Sequence, residues 1–120
     1  DVEQICEQLM KLEKHLAAVA AASILGEPAK AIQLLDKKPV QDRDWWVLEI
    51  LLVATRQNLG REKLLPLLES VNDLWGRAKE VEDIAYLDYV DSVISTRCGR
   101  KQMKTELRKS WAQAQGKLQE

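Results

Sequence analysis

The residues of this chain best suited to chemistry are one histidine, His15, and two cysteines, Cys6 and Cys98. A cysteine nucleophile needs a base that takes its proton and a third group that orients the base. His15 lies between Lys14 and Leu16, and nothing in the spacing pairs it with either cysteine. We therefore interpret His15 as an ordinary surface or boundary residue. We expect no catalytic residue and no enzymatic activity.

Metal and cofactor sites have equally little support in the sequence. Two cysteines and one histidine are too few for a zinc site, and no glycine-rich loop is present that would hold a phosphate. Carboxylates concentrate in one stretch, namely Glu80, Glu82, Asp83, Asp88 and Asp91. They lack the Asp-x-Asp-x-Asp-Gly spacing of a calcium loop. We expect them to form a solvated helix face, and we expect no cofactor and no metal.

Composition places the chain among soluble globular proteins. It has 120 residues, 46% of them hydrophobic and 31% charged, with 18 basic against 19 acidic side chains. These values exclude the disordered, collagen-like and membrane classes and predict a single domain over residues 1–120. The low cysteine content favours an intracellular, cytoplasmic location. The apolar run from Leu16 to Ile24 is too short to span a membrane.

The elements that must position any site are predicted to be helices. Phenylalanine is absent and no two-residue alternation persists, whereas apolar residues recur at three- and four-residue steps. The predicted class is all-α, with about six helices in three antiparallel hairpins, either tetratricopeptide-like or a compact helical bundle. The predicted helices cover about 2–25, 28–38, 80–96 and 101–118, with a third that starts after Asp44 and ends at Asn58-Leu59-Gly60 and a fourth that carries Leu64 to Trp75.

Local signals fix several of these boundaries. Asp1 is expected to cap the first helix, and Asp44 the third. Gly26 and Gly60 are expected to take left-handed conformations where helices end. Pro66 removes one helical hydrogen bond, so that the fourth helix either begins near Leu64 or is kinked there.

Two apolar patterns predict which faces are buried. The first helix carries a stripe expected to face the core, formed by Ile5, Leu9, Leu12, Leu16 and Val19. The third helix is apolar on nearly every side, which is typical of a central element. Either Leu51 or Leu52 is therefore predicted to be fully buried.

An internal period suggests a family. Leu25-Gly26 and the residues after it align with Leu59-Gly60, 34 residues later. Over residues 12–77 the chain resembles the tetratricopeptide repeat family, in which a small residue ends the first helix and an alanine five positions later packs the crossing; Gly26 and Ala31 match this, whereas Leu65 replaces the alanine in the second unit. The resemblance implies a non-enzymatic protein-interaction module, such as an adaptor, chaperone or regulator.

The same resemblance implies an apolar groove for a partner helix or peptide. Its inward positions on the third helix would include Ile50 and Gln57. Adjacent residues on a helix point about 100° apart, so of Trp45 and Trp46 one is expected at a boundary or at the surface. Either both rings pack, one on the first two helices and the other on the fifth or sixth, or one of them anchors a partner, because exposed tryptophans are favoured at protein interfaces. The sequence does not decide which of the two is buried.

Charge is unevenly distributed along the chain. Residues 97–120 are basic, and one side of the last predicted helix carries Arg97, Arg100, Lys101, Lys104 and Arg108. We expect these side chains mainly to pair with the acidic fifth helix. The alternative is a helical nucleic-acid-binding or regulatory domain that uses residues 97–117 to contact phosphates. The predicted partner is another protein, with nucleic acid less favoured, and the oligomeric state is left open.

Overall fold

The computed structural model describes residues 1–102, and this part of the chain is helical and contains no strand. The predicted all-α class is confirmed. The helices are α1 (Val2–Lys11), α2 (His15–Ile24), α3 (Pro28–Leu35), α4 (Arg43–Thr55), α5 (Arg61–Leu64), α6 (Leu67–Trp75) and α7 (Val81–Arg97). The predicted sixth helix over 101–118 lies almost entirely outside the described residues.

The predicted helix over 2–25 is wrong, because the chain turns at residues 12–14 and forms α1 and α2 instead. Glu13 takes a left-handed conformation with φ +59°, its N–H donates to Met10 O, and the N–H of Lys14 donates to Leu9 O. These two bonds form a Schellman motif, which ends α1. The two halves of the predicted apolar stripe therefore do not share one buried face, and Leu12 is 68% exposed.

This turn carries a strained residue, and we expect Glu13→Gly to stabilise the protein. Glycine adopts φ +59° without the steric penalty of a Cβ, so the free energy of unfolding should rise by about 0.5–1 kcal/mol. The urea midpoint measures this change. The control Glu7→Gly lies within α1 and should lower stability by about 1 kcal/mol. A lower midpoint for Glu13→Gly would contradict the left-handed turn.

The two glycines of the apparent repeat differ in conformation. Gly26 has φ +84° and ends α2 in a Schellman motif, which confirms the prediction for this residue. Gly60 has φ −74° and ψ 166°, an extended conformation at the start of α5, so the left-handed prediction is wrong there. The chain enters α5 from an extended segment, so the residue before this helix needs no positive φ.

Of the two predicted N-terminal caps, the one at Asp1 is confirmed and the one at Asp44 is wrong. Asp1 caps α1 through a 2.9 Å bond from the Gln4 N–H to its Oδ1, as predicted. Asp44 does not cap α4, because the helix begins one residue earlier and arginines bind the Asp44 carboxylate. Pro66 separates the single turn of α5 from α6, so the kinked alternative is the one that occurs.

Helix α4 is the central element, packing against α2, α3, α6 and α7. Leu51 is fully buried, which confirms the core prediction, and Leu52 is half-buried. Short turns join α1, α2 and α3, which pack side by side, while α6 and α7 pack together on the other side of α4. The N-terminal half of α4, the end of α6 and the start of α7 thus meet at one surface. Within residues 1–102, no helix has the length and apolar character needed to cross a bilayer.

Candidate protein-interaction site

Trp45 lies at the surface, whereas Trp46 is half-buried against the core. The Trp45 side chain is 45% exposed. Its ring meets that of Tyr86 from α7 edge to face, with centroids 6.3 Å apart and planes at 73°. Aromatic pairs favour this arrangement because the positive ring edge meets the negative ring face. The pair presents a large, rigid, partly apolar surface to solvent.

A pocket of about 80 Å³ opens beside Trp45, and we call it the Trp45 pocket. Helix α4 contributes Asp44, Trp45 and Leu48, and α7 contributes Asp83 and Leu87, one helical turn apart in each case. The end of α6 and the turn after it complete the wall with Leu74, Arg77 and Ala78. Leucines form the base and charged groups stand at the rim. Such a pocket can receive an apolar side chain while its rim selects charge.

A network of ion pairs fixes the rim. Arg77 binds two carboxylates in bidentate fashion, reaching Asp44 at 2.8 Å and Asp73 at 2.7 Å. Arg43 binds Asp36 at 2.8 and 2.9 Å and Asp44 at 3.1 Å. Bidentate arginine pairs have a defined geometry, so the network joins the end of α3, the start of α4 and the end of α6.

These arginines change the titration of their partners. Hydrogen bonds from Arg77 lower the pKa of Asp44 and of Asp73 below the ordinary value of 3.8. Hydrogen bonds from Arg43 lower the pKa of Asp36 in the same way. The pKa values of Arg43 and Arg77 are raised, chiefly by the bonds to Asp36 and to Asp44 respectively.

Acid is therefore expected to destabilise the fold through this network. A carboxylate whose pKa is lower in the folded than in the unfolded state stabilises the fold above its unfolded pKa, and this stabilisation is lost as pH falls through the folded value. The urea midpoint should fall between about pH 5 and pH 3, and it should fall less in Arg77→Gln. Arg56→Gln is the control, because exposed Arg56 has no carboxylate partner within residues 1–102. Equal pH dependence in wild type and Arg77→Gln would contradict the role of Arg77.

The other residues predicted to line a groove serve the interior. Ile50 is 3% exposed and belongs to the core, so it cannot contact a partner in this conformation. The side-chain amide of Gln57 donates to the carbonyls of Ser23 and Ile24 at 3.1 and 3.0 Å. These carbonyls lie at the C-terminus of α2, beyond the last i to i+4 bonds of the helix, and the carbonyl of Ser23 also accepts from the Gly26 N–H. Ile50 is therefore part of the core, whereas the half-buried Gln57 joins the segment after α4 to the end of α2.

The predicted basic face is only partly described. Arg97 donates to the carbonyls of Thr55 and Gln57 at 2.9 and 3.0 Å, and so holds the end of α4 rather than a carboxylate of α7. Arg100 and Lys101 are exposed after the end of α7. Lys104 and Arg108 lie outside the described residues.

The acidic stretch on α7 is not uniformly solvated, contrary to prediction. Asp91 is fully buried and accepts hydrogen bonds from Trp75 Nε1 at 3.0 Å and from the Ser95 hydroxyl at 2.8 Å. This carboxylate links α6 to α7 beneath the surface. In residues 1–102 no three histidine, cysteine or acidic side chains are grouped as a metal site would need.

His15, Cys6 and Cys98, for which the sequence predicted no catalytic role, lie in the interior or at its boundary. A ring N–H of half-buried His15 pairs with the Leu34 carbonyl, joining α2 to the end of α3. Cys6 and Cys98 are both buried, and the Cys6 thiol donates to Ala18 O at 3.8 Å. His15 thus acts as a boundary residue, in agreement with the sequence interpretation.

Comparisons with known proteins return no relative. No family model, no curated protein and no solved structure matches this chain. Its function must therefore be argued from the surface itself.

The sequence identified Trp45 as a candidate interface residue but did not reveal the rest of the Trp45 pocket. Asp73 lies near the end of α6 and Arg77 four residues later in the turn that follows, a spacing that does indicate an ion pair. Asp44 and Arg77 are 33 residues apart and meet only through the packing of α4 against α6. No local signal in the sequence reveals that contact.

Proposed function

We propose that this chain is a non-enzymatic protein-interaction module, adaptor-like or regulatory, that binds a helix or peptide segment of a partner protein at the Trp45 pocket. The observation that carries the proposal is the exposed Trp45–Tyr86 pair beside a leucine-based pocket. The Trp45 side chain is 45% exposed at this position. Protein interfaces are enriched in tryptophan and tyrosine at the residues that contribute most to affinity.

Binding would proceed by burial of one apolar side chain of the partner against Leu48, Leu74 and Leu87. The Trp45 and Tyr86 rings would cover the flank of that side chain and exclude water from it. Because the ion-pair network holds the rim in place, little conformational entropy is lost on binding. The two buried, unpaired cysteines suit a reducing compartment, and we place the interaction inside the cell.

The tetratricopeptide resemblance stays a prediction, as does nucleic-acid binding by the basic C-terminal residues. The Trp45 pocket needs neither of them. Its recognition chemistry follows from the side chains of α4, α6 and α7.

A phage-displayed library of random peptides, panned on the full chain, tests the proposal. We expect peptides that are enriched by the wild-type protein and are lost on the Trp45→Ala variant. Circular dichroism should show the same helix content in both proteins, because Trp45 lies outside the core. Failure to enrich any peptide over the variant would refute the Trp45 pocket as a binding site.

A further inference from the structure

The Trp45 pocket and the surface around it carry more negative charge than their arginines neutralise. The charged side chains that line the pocket and the adjoining cleft are three carboxylates, those of Asp42, Asp44 and Asp83, and two guanidinium groups, those of Arg43 and Arg77. Both arginines are already bound to Asp36, Asp44 and Asp73. The local balance is therefore negative although the whole chain is close to neutral, with a net charge of −1.

Two of the carboxylates have no cation partner within residues 1–102. Asp42 and Asp83 line an open cleft next to the Trp45 pocket, together with Arg43, Asp44 and Trp45. No ion pair within residues 1–102 involves Asp42 or Asp83. Asp42 lies in the turn before α4 and Asp83 in α7, and the fold brings both to one cleft beside Trp45.

The pocket itself limits the size of the apolar group. The cavity has a volume of about 80 Å³. A recess of this size suits a short branched aliphatic side chain, whereas the wider indole of a tryptophan would remain partly outside it. The Trp45 ring is supplied by this chain, so the partner needs only the aliphatic anchor.

We infer that the partner segment is basic, placing one leucine-sized aliphatic side chain in the Trp45 pocket and lysine or arginine side chains in the cleft against Asp42 and Asp83. This inference rests on the proposed function. A positive segment is attracted to this face before contact, which speeds the encounter. An acidic segment or a nucleic acid phosphate would meet uncompensated carboxylates and be repelled.

The peptides enriched by panning provide the first test. Sequences selected by the wild type over Trp45→Ala should have a positive net charge and share one aliphatic residue. Enriched peptides that are neutral or acidic would overturn the basic-partner inference and leave the proposed function intact. An absence of Trp45-dependent enrichment would overturn both.

A double variant tests the two carboxylates directly. One enriched peptide, labelled with a fluorophore, is titrated with the full chain at about 0.01 and 0.15 M salt, where the Debye length is about 30 and about 8 Å. Asp42→Asn combined with Asp83→Asn should weaken binding roughly three- to tenfold at the lower salt and flatten the salt dependence. Glu7→Gln, which removes the charge of one exposed carboxylate of α1, is the control for a distant charge change and should alter affinity less than about twofold.

The outcome that contradicts the inference is equally specific. A double variant that binds the peptide as tightly as wild type, with the same salt dependence, would show that Asp42 and Asp83 do not contact the partner. Equal weakening by the double variant and by Glu7→Gln would indicate only a general effect of net charge and would likewise overturn the inference.

Discussion

Trp45→Ala should weaken binding of a selected peptide at least about 30-fold, a loss of roughly 2 kcal/mol or more. The indole forms one wall of the pocket and packs against Tyr86, so its removal opens the pocket to water. Isothermal titration calorimetry with the full chain measures the change.

The control for Trp45→Ala is Ile24→Ala, which removes an apolar side chain that is 69% exposed at the end of α2. Ile24 does not line the Trp45 pocket, so its replacement should leave affinity within about twofold. Affinity of Trp45→Ala within about threefold of wild type would place the binding site elsewhere.

Leu51→Ala should lower the free energy of unfolding by about 2–5 kcal/mol. Leu51 is fully buried in α4, the helix against which α2, α3, α6 and α7 pack. Truncation removes apolar contacts and leaves a cavity that this rigid environment fills only in part. Chemical denaturation with urea measures the change.

Leu12→Ala is the matched control for Leu51→Ala, because the same atoms are removed from a side chain that is 68% exposed. Its effect should stay within about 0.5 kcal/mol. Similar losses for Leu51→Ala and Leu12→Ala would contradict the central position of α4.

The sequence predicts the elements whose signals are local and strong. Helix α7 occupies Val81–Arg97 against a predicted 80–96, because its apolar residues recur regularly and Gly99 follows it. Leu51 could be placed in the core because α4 is apolar on nearly all sides. Gly26 could be assigned a left-handed conformation because glycine is the usual residue at that position of a helix end.

Other backbone conformations depend on tertiary packing, which no local sequence pattern reveals. The turn at Glu13 contains neither glycine nor proline, and the packing of α1 on α2 compensates the strain of a non-glycine residue with φ +59°. Gly60 resembles Gly26 in its sequence context, yet the chain approaches α5 in an extended conformation. The two Leu-Gly pairs therefore have similar sequences but different backbone conformations, left-handed at Gly26 and extended at Gly60.

The candidate site was predictable only in its aromatic residues. Trp45 and Trp46 are equivalent by sequence, and the packing of α4 against its neighbours decides that Trp46 faces the core while Trp45 meets Tyr86. The contact between Asp44 and Arg77 joins residues 33 apart. Contacts of this kind arise from tertiary packing, so the pocket and its negative rim become visible only in the folded chain.

The most direct measurement of the central claim is a peptide titration followed by NMR of the tryptophan indole N–H groups in the ¹⁵N-labelled full chain. Trp45 lines the pocket, whereas the Trp75 indole donates to buried Asp91 at 3.0 Å. Saturating amounts of a selected peptide should shift the Trp45 signal and leave that of Trp75 in place. A Trp45 signal that does not move while the peptide is bound would contradict binding at the Trp45 pocket.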